Sequence, residues 1–212
     1  MLIHSKTDCT TVNGPGRRAA LWFQGCTLGC AGCWNEATHA FDFARFIAWP
    51  AVQTWLLNLP ADVTGITLSG GEPLQHSLDI LTIADYVQFM RPGFSVGLFT
   101  GYTERELETG RFQTLNADNS AFVSGDSDLW SAIKSRIDFA VMGRFNASLV
   151  TIGKPLCGST NQEIRLFSNR YTLADFGPQE VEITIGPHDG QMCASITGFP
   201  GRELITSINT AL

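Results

Sequence analysis

Residues Ala19 to Asn35 read AALWFQGCTLGCAGCWN, and the fold turns on this stretch. Its opening run, "AALWFQ" (Ala19 to Gln24), has the apolar character of a short buried strand. It feeds directly into "GCTLGCAGCWN", Gly25 to Asn35, which places Cys26, Cys30 and Cys33 within eight residues. A strand ending in a ligand-bearing loop is the repeating unit of α/β sheets, where the loops at strand carboxyl ends carry the chemistry.

Three readings of the sulfurs compete. Core cysteines are common singly, but three among glycines on a loop do not resemble core packing. Structural zinc prefers four closed ligands, usually in two close pairs. Cys9, Cys157, Cys193 and the four histidines offer no paired spacing, although the sequence leaves room for a distant fourth ligand. The third reading is a 4Fe–4S cluster. Such a cluster takes four cysteine thiolates when it only carries electrons, so three would leave one iron open to a substrate. Gly25, Gly29 and Gly32 allow close backbone approach and positive φ around such a group.

Further along, Pro50 to Leu59 reads as a helix with proline in its first turn, stopped by Pro60. Ile66 to Leu68 is a strand ending in "SGGEP". Ser77 to Met90 is an amphipathic helix expected to turn Leu78, Leu81, Ile83 and Val87 inward. Phe94 to Thr100 is a strand ending in "TGYT", and Thr103 to Leu107 starts a helix. Residues 110–127 are polar and rich in turn formers, which predicts a surface insertion. Leu129 to Arg136 is a helix and Phe139 to Met142 a strand. This alternation implies βαβ units and a parallel sheet, open or curled into a partial barrel. The end differs. "VEITI" (Val181 to Ile185) and "MCASI" (Met192 to Ile196) flank an Asp189-Gly190 turn signal, which predicts a small antiparallel hairpin.

Composition bounds the rest. The 212 residues suit one domain. A net charge of −6 argues against a broad nucleic-acid-binding face. Met1 to Thr11 has no apolar signal region, and the apolar runs are too short to span a bilayer. The expectation is a soluble, cytoplasmic protein, where clustered cysteines read as metal ligands or redox groups before disulfides.

With the motifs in place, the chain resembles the radical S-adenosylmethionine (SAM) superfamily. That family carries a C-x3-C-x2-C loop after the first strand of a partial (β/α) barrel, and "SGGEP", Ser69 to Pro73, is similar to its second-strand motif. Within it, the chain resembles the proteins that activate anaerobic ribonucleotide reductase and other glycyl radical enzymes. Gly32 stands where many members have an aromatic residue, but glycine there with the Trp34-Asn35 pair fits this branch. "LFTGYTERELE" (Leu98 to Glu108), "IDFAVMGRF" (Ile137 to Phe145) and "GSTNQEI" (Gly158 to Ile164) are similar to further stretches of the branch, with Met142 in place of an acidic residue.

The resemblance implies an α/β fold: a partial barrel over residues 1–170, and a C-terminal hairpin extension over 171–212. It implies a radical SAM oxidoreductase whose single cluster reductively cleaves S-adenosylmethionine to a 5′-deoxyadenosyl radical, which makes a glycyl radical on a partner enzyme. Cys26, Cys30 and Cys33 would be the cluster ligands. Gly32, Trp34, Asn35, Gly70, Gly71, Glu72, Thr100, Gly101 and Tyr102 would bind the cofactor. A flavodoxin or ferredoxin type protein would supply the electron, and neither nucleic acid nor membrane would take part. Two other readings stand beside it: a small-molecule radical SAM enzyme akin to carboxy-deazaguanine synthase, and a non-catalytic iron–sulfur or zinc module.

Other residues have plainer readings. Asn161 and Gln162 read as a polar turn or cap, with any function resting on the resemblance. Arg17 and Arg18 read as a solvated pair, His39 and His76 as ordinary histidines, and Cys9, Cys157 and Cys193 as packing residues.

Overall fold

The computed structural model describes residues 1–188 and 191–199. A six-stranded mixed sheet runs in the order β1-β2-β3-β4-β7-β8. Its four central strands are parallel: β2 (Arg18–Phe23), β3 (Gly65–Gly70), β4 (Ser95–Thr100) and β7 (Phe139–Met142). The outer strands β1 (Ile3–Thr10) and β8 (Glu163–Leu166) pair antiparallel with β2 and β7. The central strands are near-continuous apolar runs because helices and loops cover both faces.

Helix α1 (Trp49–Leu57) leads into β3, and α2 (Ser77–Met90) into β4. The short α3 (Glu104–Glu108), a hairpin of β5 (Gln113–Leu115) and β6 (Phe122–Ser124), and α4 (Ser127–Lys134) lie between β4 and β7. Helix α3 starts with a capping box in which the Thr103 side chain and Glu106 satisfy each other's backbone amides. Asp126 caps α4 by accepting the Leu129 amide at 2.7 Å. No helix among the described residues is long and apolar enough to cross a membrane.

The architecture is therefore mixed α/β with a C-terminal antiparallel hairpin, β9 (Val181–His188) and β10 (Gln191–Gly198). The predicted turn at Asp189-Gly190 lies outside the described residues.

Several expectations need correction. A polar strand that the sequence reading does not single out, β1, precedes "AALWFQ" and pairs with it at the edge of the sheet; Ser5, Lys6 and Asp8 face solvent, whereas Ile3 and Thr10 are buried. Helix α2 buries Ile80, Ile83, Ala84 and Val87, whereas Leu78 is 44% exposed. That buried set follows the i, i+3, i+4, i+7 spacing of one helical face. Residues 110–127 are not simply a surface insertion: Phe112, Thr114 and Leu115 are buried. Arg17 is exposed beside Asp62, but Arg18 is fully buried. Its guanidinium donates to Thr67 Oγ1 at 2.8 Å, Ser95 Oγ at 2.6 Å and the Ile66 carbonyl at 2.7 Å. It lies at the opening residue of β2, the end of the strand away from the cysteine loop. Cys157 is buried in a small aromatic cluster and Cys9 packs against the main core, as packing residues should. The Cys193 side chain is outside the described ones.

Candidate iron–sulfur and cofactor cleft

The parallel strands end on one edge of the sheet, and each ends in a loop that enters the same cleft. The cysteine loop follows β2. Its root is closed by backbone bonds from Gly25 N to Thr38 O (2.7 Å) and from Cys26 N to His39 O (2.9 Å). The buried Gln24 side chain donates to Ala40 O at 2.5 Å and bonds His4 Nδ1 at 2.8 Å. The loop tip needs glycine for its backbone: Gly29 has φ +59° with no atom near a would-be Cβ.

The loop after β3 is tied to that root. Gly71 N donates to Phe23 O, and Glu72 N to Gly25 O, both at 2.9 Å. A Cβ at Gly71 would sit 2.1 Å from Gly25 O. The close approach at "GG" is thus to the chain's own cysteine loop.

Glu72 then joins the next strand. Its Oε1 accepts Leu74 N at 2.9 Å and Thr100 Oγ1 at 2.8 Å, and its Oε2 accepts Gly101 N at 2.7 Å. Burial pushes its carboxyl up to about 7, against these donors. Gln75, fully buried, grips the cysteine loop from the same side. Its carbonyl accepts Thr27 N at 3.1 Å, and its amide donates to Thr27 Oγ1 at 2.5 Å. Gln75 was not singled out from sequence. Its place two residues after the "GGEP" turn is the available signal.

Cys26, Cys30 and Cys33 all line the cleft, with Trp34, Asn35, Gly70, Gly71, Glu72, Thr100 and Gly101. Gly32 and Tyr102 do not. Tyr102 is buried against Phe112, and its hydroxyl accepts Gln113 N at 3.3 Å. His39 lines the cleft. His76 is buried and stacked on Phe23 at 4.9 Å, and among the described residues neither ring nitrogen has a hydrogen-bond partner. Asn161 donates to Arg144 O at 2.8 Å and Gln162 to Gly143 O at 2.9 Å. These two brace the turn after β7, whose Phe145 enters the cleft.

The donor set suits a polynuclear iron–sulfur group. Among the described residues, no three His, Cys, Asp or Glu side chains converge on a point that one metal ion could occupy. The three thiols instead share the wall of a larger cleft. Burial pushes the Cys26 thiol up to about 11 and raises Cys33, so both are protonated at neutral pH until a metal displaces the proton. Backbone amides counter this: Leu28 N donates to Cys26 Sγ at 3.4 Å. Amide–sulfur bonds of this kind stabilise thiolate charge and tune a bound cluster.

Comparison with known proteins agrees with this geometry. A family described as a 4Fe–4S single cluster domain matches residues 12–165. The chain is 32% identical over 128 residues to an anaerobic ribonucleoside-triphosphate reductase-activating protein of Salmonella typhi, covering 56% of this chain and 80% of that protein. A protein of the same name from Escherichia coli (strain K12) is 32% identical over 125 residues, again 56% and 80%. One from Vibrio cholerae is 28% identical over 174 residues, covering 79% of this chain and 99% of that protein.

Proposed function

The chain belongs to the 4Fe–4S single cluster domain family, and from that premise we propose that it is a radical SAM activating enzyme that installs a glycyl radical on a partner of the anaerobic ribonucleotide reductase type. The observation that carries this reading is the joint presence, in one cleft, of the three cysteines and the "GGEP" loop, whose Glu72 amide donates to Gly25 O at the root of the cysteine loop. In this reading the four parallel strands and their helices are the partial (β/α) barrel of the radical SAM type. The protein works in a reducing cytoplasm.

Cys26, Cys30 and Cys33 would hold the cluster. Supplied with an electron by an external flavodoxin or ferredoxin type donor, the bound cluster would provide the chemistry of one-electron reductive cleavage of SAM, to methionine and a 5′-deoxyadenosyl radical that would take a hydrogen atom from a glycine Cα of the partner. The protein's work is to bind, orient and shield. Gly70, Gly71 and Gly101 line the same cleft as the sulfurs and would receive the methionyl end of SAM. Glu72 acts as a positioning residue, locking the β3 and β4 loops together. Trp34, Phe99 and Phe145 line the rest of the cleft with apolar rings. They keep water from the reactive carbon.

The test is anaerobic reconstitution, with iron and sulfide counts and EPR spectra with and without SAM. The reading expects about four irons per chain, a SAM-dependent spectral change, and a glycyl doublet when the partner is added. Cys26→Ala, Cys30→Ala or Cys33→Ala should each abolish the SAM-dependent change. Its persistence in all three would overturn the reading.

A further inference from the structure

The family match ends at residue 165, yet the cleft does not. It is also lined by the end of β10, Ile196 to Gly198, and by Phe199 just after it. The Phe199 ring lies 5.9 Å from Trp34 and 6.3 Å from Phe99, centroid to centroid. One of these partners sits on the cysteine loop and the other on β4.

The foot of the hairpin is fixed in this position. Thr11 donates to Glu182 Oε1 from its amide at 3.4 Å and from its hydroxyl at 3.3 Å. The Gln179 side chain donates to the Cys157 carbonyl. Gly198 has φ +103°, and a Cβ there would meet Glu180 O at 2.2 Å. That left-handed turn, followed by the Phe199 N to Glu180 O bond at 3.1 Å, directs Phe199 out of the strand and into the cleft. The outer part of the hairpin is different: Ile185 is 70% exposed.

The cleft therefore offers two chemistries. The cysteines and glycine backbone are polar, and Trp34, Phe99 and Phe199 present neighbouring aromatic rings. A ligand with an amino-acid head and a flat heteroaromatic tail matches both. Ring faces of this kind bind nucleobases. We propose that Phe199, from the C-terminal hairpin, completes a nucleoside-binding wall with Trp34 and Phe99 that takes the adenosyl end of SAM. The hairpin is then part of the cofactor site. This inference rests on the SAM reading above.

The experiment is anaerobic equilibrium binding to the full, cluster-loaded chain, with SAM, 5′-deoxyadenosine and methionine as separate probes. Phe199→Ala should weaken SAM and 5′-deoxyadenosine about tenfold, the effect of losing one base–aromatic contact, and leave methionine unchanged. Phe199→Tyr should restore the affinity, and Ile185→Ala should match the wild type. Equal nucleoside binding by Phe199→Ala, or an equal loss for methionine, would overturn the inference. If the wild-type protein shows no SAM-dependent EPR change, the parent reading fails as well. If that change is present and Phe199→Ala binds nucleoside like the wild type, only the hairpin's role fails.

Discussion

Glu72 Oε2 accepts the amide of Gly101 at 2.7 Å, so a carboxylate from the loop after β3 holds the backbone that ends β4. The other oxygen already accepts from Leu74 N and Thr100 Oγ1. Three donors converge on one buried acidic side chain, and its role is to fix two cleft loops relative to each other. Glu72→Gln puts an NH2 where an acceptor is required. The cluster-free variant should lose about 1–3 kcal/mol, the cost of an unsatisfied buried donor. Urea denaturation at pH 5, where burial keeps the Glu72 carboxyl neutral and no buried charge is removed with it, checks this. Unchanged stability would mean the loops are held by other contacts.

Two buried groups oppose each other in pH dependence. Burial holds His76 down at about 4, from an ordinary 6.5, so its contribution to stability is present above pH 6.5 and is lost as pH falls toward 4. Burial lifts Glu72 from an ordinary 4.5 to about 7, so its contribution is present below pH 4.5 and is lost as pH rises toward 7. Asp79, also raised by burial, acts in the same sense as Glu72. Each of the two main effects is of order 3 kcal/mol, and in the wild type they largely cancel between pH 4.5 and 6.5. His76→Phe removes one side. Its stability should rise relative to wild type as pH falls from 7 to 4.5, read from thermal melts across that range. Parallel curves for the two proteins would contradict it.

Gln75 holds the cysteine loop through Thr27 without touching a sulfur. Gln75→Ala should leave the circular dichroism spectrum intact and reduce iron retained after reconstitution and gel filtration. Gly71→Ala should lower it further, because its Cβ would collide with Gly25 O. Full iron loading in both variants would show that the loop shapes itself around the cluster unaided.

The adjacent arginines should behave oppositely. Arg18→Met removes the donor shared by Thr67 Oγ1, Ser95 Oγ and the Ile66 carbonyl, although Thr67 keeps its bond to Asn13 O and Ser95 its bond from Tyr171, and should cost about 1–3 kcal/mol in chemical denaturation. Arg17→Ala removes an exposed pair with Asp62 and should change stability by less than about 1 kcal/mol. Equal effects would mean that Arg18 is not buried as described.

The local signals in the sequence were strong where one element carries its own meaning. The cysteine spacing, the strand before it, the "GGEP" turn, helix α2 and the C-terminal hairpin follow from periodicity and turn chemistry within a few residues. The tertiary structure decided what depends on partners distant in the chain. Strand β1 is polar because it is an edge, and only its pairing to β2 makes it a strand. Arg18 and Arg17 are neighbours of the same type, yet Arg18 opens a central strand covered on both faces and is buried, whereas Arg17 lies just before that strand and is exposed. Gly70-Gly71, Glu72 and Gln75 gained their roles from what the fold brings against them: Gly25, Gly101 and Thr27. Phe199 lies 165 residues beyond Trp34, and nothing local to either predicts that their rings meet. Chain connectivity specifies the donors of this cleft, whereas packing across the sheet edge specifies its walls.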